Sequence, residues 1–298
     1  MLPSPLQEYF DPLFTQKKIR FFIKRDDLIH PFISGNKWRK LNLNIVHAKK
    51  YHYNSIISFG GAFSNHIYSL AAAGKFFNIK TIGIIRGEEA DGNNPTLRFA
   101  IQQGMTIEKV SREAYRDKNT LLHHFSQKYT NAYFVPEGGS NELGTKGCEK
   151  ISEELSTQIG PDFTCVPVGT GGTISGIING SKGESTILGF PVLKGVNYLE
   201  EEINNFTNSK YSNWYLVSNY HFGGYAKINS VLINFMDDFL NKHNIQLDPI
   251  YTSKMMFGIV ELLKQGYFPE NSKIVAIHTG GLQGLEGMKT KIEKLRSY

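Results

Sequence analysis

The chain has 298 residues, 40% apolar and 20% charged, which excludes a disordered chain and suits two packed lobes or one large α/β unit with an insertion. Its net charge of +6 is spread over scattered pairs such as Lys17-Lys18 and Lys49-Lys50, with no basic stripe or arm for nucleic acid, leaving a mildly positive field that favours anionic ligands. Two cysteines, Cys148 and Cys165, make neither a disulfide framework nor a metal knuckle. With no apolar run near the ~20 residues that span a bilayer, and no secretory signal in Met1-Leu-Pro-Ser-Pro, they point to a soluble, cytoplasmic protein.

Short apolar runs and helical periodicities alternate along nearly the whole chain. A strand over 20–24 ends in the charged turn Lys24-Arg25-Asp26-Asp27-Leu28, and after Ser34-Gly35 a helix runs over 36–50. Lys37 falls in its first turn, where the helix dipole disfavours a cation and depresses an amine pKa. Taken alone, Lys37 reads as readily as a surface lysine. The strand 55–59 passes through Gly60-Gly61 into Ser64-Asn65-His66 and a helix over 64–76. That turn is an N-cap on a glycine bend, and equally a ready carboxylate site. His66 by itself reads as a packed residue behind such a site.

Strands at 81–86, 106–111 and 132–136 alternate with helices at 94–104 and 118–129. Glu-Gly-Gly-Ser at 137–140 then leads into a helix over 142–158 and a strand over 162–167. Directly after it, Gly169-Thr170-Gly171-Gly172-Thr173 opens a helix over 172–180. Glycines and hydroxyls at a helix N-terminus cradle a phosphate, here without the dinucleotide or P-loop spacing. Strands at 186–190 and 214–218 and a helix over 226–243 follow, the last preceded by Gly223-Gly224-Tyr225. Asp248-Pro-Ile-Tyr251-Thr252-Ser-Lys254 precedes a helix over 253–265. A strand over 273–278 ends in His278-Thr279-Gly280-Gly281 before a final helix over 283–296. Such alternation predicts βαβ units, mostly parallel sheet, and ligands at the carboxyl ends of strands. We expect a smaller inserted lobe over 49–139 within a larger one built from 1–48 and 140–298. No His or Cys pair has metal-ligand spacing, and without a Gly-x-Ser-x-Gly elbow a hydrolase triad has no anchor.

In this order the motifs Lys-Arg-Asp-Asp-Leu (24–28), Gly-Asn-Lys-Trp-Arg-Lys-Leu (35–41), Gly-Ala-Phe-Ser-Asn-His (61–66), Gly-Thr-Gly-Gly-Thr (169–173), Asp-Pro-Ile-Tyr (248–251) and His-Thr-Gly-Gly (278–281) resemble one family. It is that of D-cysteine desulfhydrase and 1-aminocyclopropane-1-carboxylate (ACC) deaminase, a branch of the tryptophan-synthase-β-like, fold type II pyridoxal phosphate (PLP) enzymes. The resemblance runs from Ser4-Pro-Leu to the last helix. It implies a two-lobed α/β fold with PLP in the cleft between lobes, and commonly a homodimer. It implies that Lys37 is the Schiff-base lysine, whose freed amine shuttles the proton at Cα. It further implies that Asn65 bonds the cofactor's phenolic oxygen, and that Ser64 with nearby backbone holds the substrate carboxylate. Residues 169–173 would bind the phosphate, Thr279 would face the pyridine nitrogen, and Tyr225 and Tyr251 would line the substrate side.

ACC deaminases carry Tyr-Glu after Asp-Pro-x, where this chain has Tyr251-Thr252. A hydroxyl cannot enforce protonation of the ring nitrogen, so Thr252 and Thr279 suit an elimination with a good leaving group better than a ring opening. The expected reaction is α,β-elimination of D-cysteine or a related amino acid to a 2-oxo acid, ammonia and sulfide. ACC deamination to 2-oxobutanoate is the alternative. A catalytically weak PLP-binding protein and a phosphosugar- or nucleotide-binding module are rivals from other classes. Ser34, Gly281-Leu-Gln-Gly and a short 181–195 stretch depart from the family pattern.

Overall fold

A computed structural model describes residues 2–88, 94–195 and 197–296. Its larger sheet opens with β1 (Leu6–Tyr9), which is followed by the short helix α1 (Pro12–Gln16) and by β2 (Arg20–Lys24). Helix α2 (Asn36–Lys50) then leads into a second sheet built from β3 (Ser55–Gly61), β4 (Lys80–Arg86), β5 (Thr106–Val110) and β6 (Ala132–Val135). Helices α3 (Asn65–Phe77), α4 (Pro95–Gln102) and α5 (Lys118–Lys128) connect these strands. The four strands run parallel in the order β5-β4-β3-β6.

The chain then returns to the first sheet through α6 (Glu142–Gln158), β7 (Phe163–Val168), α7 (Gly172–Ser181) and β8 (Thr186–Pro191). After α8 (Asn197–Thr207) come β9 (Trp214–Leu216), α9 (Ser230–His243), α10 (Thr252–Lys264), β10 (Lys273–Ile277) and α11 (Gly284–Arg296). The sheet order is β1-β2-β10-β7-β8-β9, parallel except for β1. Both ends of the chain therefore build one sheet, and the middle builds the other.

The near-continuous apolar strands are those of sheets covered on both faces. Ile56 and Ile57 on β3, and Val275 and Ala276 on β10, are wholly buried. Helix α2 serves both halves. Its Leu41, Ile45 and Ala48 join the core over the second sheet with Ile56, Ile67 and Val135. Its backbone meets α6 so closely that a side chain on Gly147 would strike the Arg39 carbonyl. The lobe boundary expected at 48 thus runs through a helix that bridges the two sheets.

Three elements have no counterpart among the predicted ones. Strand β1 has one exposed and two half-buried residues before the buried Tyr9, and α1 is a single turn capped by Asp11. Helix α8 buries only Leu199, Ile203 and Thr207, too thin a stripe to read as a period. Helix α9 starts later than expected because Asn229 caps it at Leu232 N, leaving 226–229 as loop. Cys148 and Cys165 are both buried and unpaired. Among the described residues no helix is long and apolar enough to cross a membrane, and no group of three metal-ligating side chains occurs.

Candidate active site

The carboxyl ends of β3, β4, β7 and β10 converge on a cleft of about 470 Å³. Lys37 enters it from the start of α2. The entry depends on Gly35, whose φ of +62° is left-handed and whose Cβ, if present, would lie 1.8 Å from the Thr279 carbonyl oxygen. Only glycine lets this loop lie flat on the Thr279-Gly280 backbone. Asn36 Nδ2 then donates to Thr173 Oγ1 at 2.9 Å, tying the lysine's helix to the glycine-threonine loop. Lys37 therefore stands where three loops meet, half-buried and facing the cleft.

Burial pushes the Lys37 pKa down to about 7, helped by the neighbouring Lys40 ammonium and opposed weakly by Cys148. A fraction of the amine is then neutral at physiological pH, as a nucleophile or base requires. Lys40 is itself buried, with Nζ donating to the Gly138 carbonyl at 3.1 Å and to Ser140 Oγ at 2.9 Å. Removing its charge should raise the Lys37 pKa. In Lys40→Met, the pH midpoint for labelling of Lys37 by an amine-reactive reagent is expected to move up from about 7. An unchanged midpoint would show that burial alone sets it.

The glycine-threonine loop forms the next wall. Gly171 supplies the left-handed turn (φ +81°) before α7, and Gly169 lies beside the Tyr251 ring, at ordinary contact distance. Thr170 Oγ1 shares a 2.6 Å bond with Ser140 Oγ, so Lys40, Ser140 and Thr170 make one chain behind the loop. Across the cleft Ser64 caps α3, accepting from Ile67 N at 3.3 Å, and its own hydroxyl proton has no acceptor among the described residues. Asn65 beside it accepts from Gln283 Nε2. His66 is buried, with Nε2 at 2.7 Å from Ser58 Oγ, whose proton goes to the Val135 carbonyl. Ser58 thus accepts from Nε2–H, which leaves Nδ1 a bare acceptor with no partner among the described residues. Burial, and then the Lys37 and Lys40 charges, hold this imidazole neutral.

Tyr225 and Tyr251 close the cleft from the larger sheet, with ring centroids 6.2 Å apart and planes at 73°. Burial raises both phenol pKa values. Desolvation is the largest cause for each, so both phenols stay protonated where the rings meet. Thr279 at the end of β10 lines the same space.

Ten of the residues singled out from the sequence therefore share one cleft: Lys37, Ser64, Asn65, Gly169, Thr170, Gly171, Thr173, Tyr225, Tyr251 and Thr279. Two stand outside its wall. Gly172 lies behind the loop, where a Cβ would meet Ser140 and Lys40. Thr252, read as a cofactor contact, is wholly buried, and its hydroxyl donates to Asp248 Oδ2 at 2.6 Å. It belongs to the start of α10, where Asp248 accepts from the amides of Ile250, Tyr251 and Thr252. The structure adds Asn36, Lys40, Arg86 and Glu137 to the lining. Lys40 was within reach of a helical pattern, one turn on from Lys37. Arg86 was within reach of the rule that ligands gather at strand ends. Among the described lining residues three cations face one carboxylate, which suits a ligand bearing phosphate and carboxylate groups.

The residues fit pyridoxal phosphate. They offer an amine with a lowered pKa and no hydrogen-bond partner among the described residues, a phosphate-sized cradle on a helix start, and amide, imidazole and hydroxyl groups around the space between. Residues 2–280 match the model of a family described as pyridoxal-phosphate dependent enzyme. The chain is 29% identical to the bifunctional mitochondrial D-cysteine desulfhydrase/ACC deaminase of Arabidopsis thaliana, over 95% of this chain and 77% of that one. It is 31% identical to a putative ACC deaminase of Pyrococcus furiosus, over 88% of this chain and 85% of the other. The crystal structure of an ACC deaminase homologue superposes with a TM-score of 0.84 at 25% identity, covering 98% of this chain and 93% of that one.

Proposed function

The chain belongs to the family of pyridoxal-phosphate dependent enzymes, and from that premise we propose that it catalyses the α,β-elimination of D-cysteine or a related β-substituted amino acid. D-Cysteine and water give pyruvate, ammonia and hydrogen sulfide. When bound, pyridoxal phosphate supplies the electron sink for charge left at Cα as its proton departs. The chain's residues do the rest. Thr170, Thr173 and the amides at the start of α7 hold the phosphate, with Lys40 behind them. The Ser64 hydroxyl and the α3 amides receive the substrate carboxylate, and Asn65 offers its amide to the ring oxygen. The Lys37 amine, neutral in part near pH 7, takes the proton from Cα. Tyr225 lines the substrate side, and its phenol, kept protonated by burial, can hand a proton to the departing sulfur.

One observation carries the choice of elimination. Asp248, the carboxylate nearest in sequence to Tyr251, spends both oxygens on the start of α10, while a hydroxyl, that of Thr279, lines the cleft. A ring nitrogen facing a hydroxyl is a weaker sink, and a good leaving group then matters more. The purified protein, offered D-cysteine, L-cysteine and ACC, should form pyruvate and sulfide fastest from D-cysteine. ACC turnover to 2-oxobutanoate at a comparable rate would remove this argument. We place the protein in the cytoplasm as a homodimer. Support comes from the exposed rings of Phe32 and Phe76, which flank His30 and Trp38 as a covered face would, and a solution mass of two 33.6 kDa chains checks it.

A further inference from the structure

Tyr225 reaches the cleft on a loop with little support of its own. Phe222, Gly223, Gly224 and Ala226 all have left-handed backbones, with φ of 53°, 90°, 114° and 54°. Two of these residues carry side chains, for which that conformation is uphill. Local bonds are few: Gly224 N to the His221 carbonyl at 3.0 Å, Lys227 N to the Gly224 carbonyl at 3.1 Å, and Gly223 N to His221 Nδ1 at 2.9 Å.

The loop is tied from outside by lysines. Lys254, 1% exposed, donates from Nζ to the His221 carbonyl at 2.9 Å and the Gly224 carbonyl at 2.8 Å. Lys291 on α11 reaches the Ala226 carbonyl at 3.1 Å from the solvent side. Lys254 is expensively placed. It sits in the first turn of α10, against the helix dipole, and burial pushes its pKa down to about 8, with Lys291 adding to the fall and Asp248 opposing it. A buried cation whose donors go to two loop carbonyls is there for the loop.

The same helix start carries Tyr251 three residues earlier, and the Tyr251 ring meets that of Tyr225 edge to face, with centroids 6.2 Å apart. Lys254 thus closes a frame running from α10 through Tyr251 and Tyr225 and back along the loop. We propose that Lys254 is a positioning residue that fixes the Tyr225 phenol against Tyr251 at the substrate side of the cleft. The proposal deepens the reading of this cleft as the catalytic site and rests on it.

Holoenzyme carrying Lys254→Met, Tyr225→Phe or both tests it, together with amide hydrogen exchange across 222–226 in the cofactor-loaded and cofactor-free proteins. Lys254→Met should keep the cofactor's absorbance, lose kcat by about 10- to 100-fold through misplacement of the phenol, and exchange faster across 222–226. Tyr225→Phe should lose kcat by a similar factor, and the double variant should be no slower than the slower single one. Losses that multiply in the double variant overturn the proposal. Unchanged exchange in Lys254→Met overturns it whatever the turnover. Full kcat in Tyr225→Phe, with fast exchange in Lys254→Met, overturns the substrate-side role of Tyr225 and the catalytic half of the proposal, while the brace itself stands.

Discussion

Replacing Lys37 by alanine is expected to lower kcat by about 10²- to 10⁴-fold, the worth of a positioned proton-transfer group, while the protein stays folded. The second half follows from how Lys37 is held. Its amine has no hydrogen-bond partner among the described residues, and burial already works against its charge, as the drop in pKa to about 7 records. Deleting it removes a cost and opens space into an existing cleft. Helix α2 keeps its anchors through Asn36 to Thr173 and through Arg39 to Asp26 and Glu154. The melting temperature should therefore move by only a few degrees. Lys37→Arg separates charge from chemistry. A guanidinium keeps the positive field but does not deprotonate in a protein, so it offers neither nucleophile nor base. It should be as slow as the alanine variant. Borohydride treatment followed by peptide mass analysis should find the cofactor adduct at Lys37 in the parent protein and nowhere in either variant. An Lys37→Ala protein with a tenth or more of the parental kcat would show that another group moves the proton, and His66, whose Nδ1 is a bare acceptor, would be the first to test.

The fold was legible where periodicity was strong. The long helices over 36–50 and 142–158, and the parallel strands that lead into glycine turns, came out of the sequence almost residue by residue, because apolar runs between glycine bends admit few other readings. Lys37 was singled out for a different reason: a cation in the first turn of a helix is out of place unless something uses it. At Thr252 the motif orders residues along the chain and says nothing of where a side chain points. Its hydroxyl had a nearer partner in Asp248, four residues back, and a helix start always needs acceptors. Lys254 stood in the same motif and carried no signal, since a buried lysine bonded to loop carbonyls is spelled like any surface lysine. Arg86 and Glu137 come from chain segments 51 residues apart and meet only when β3 stands between β4 and β6.

Truncating Asp26 to alanine is expected to destabilise the protein by about 3–5 kcal/mol, the usual cost of stranding a buried charge. Asp26 is fully buried and accepts from Ser4 Oγ at 2.6 Å and from Arg39 Nη2 at 2.8 Å. Arg39 also forks onto Glu154, at 2.5 and 2.9 Å, and Lys24 meets Glu154 at 2.6 Å. Two cations and two carboxylates balance, so loss of Asp26 leaves Arg39 and Lys24 to share Glu154, with one buried positive charge uncompensated. The Lys24 pKa is lowered, since burial costs its ammonium more than Glu154 returns. Burial alone would raise the Glu154 pKa, but the bonds from Arg39 and Lys24 outweigh it and hold the carboxyl below its ordinary 4.5. A depressed carboxyl stabilises the folded state above its unfolded pKa. That contribution should be complete above about pH 4.5 and be lost as the pH falls through the lowered value. Denaturant midpoints across pH 3–7 measure both effects. The double variant Asp26→Leu/Arg39→Met should recover part of the loss, because apolar groups of similar volume need no partners, although Glu154 is then left with Lys24 alone. Recovery would show that the network's stability lies in its completeness rather than in any single pair. Since Arg39 lies two residues beyond Lys37 on α2, a broken network should also loosen the seat of that amine, and kcat should fall in Asp26→Ala at temperatures well below its melting point.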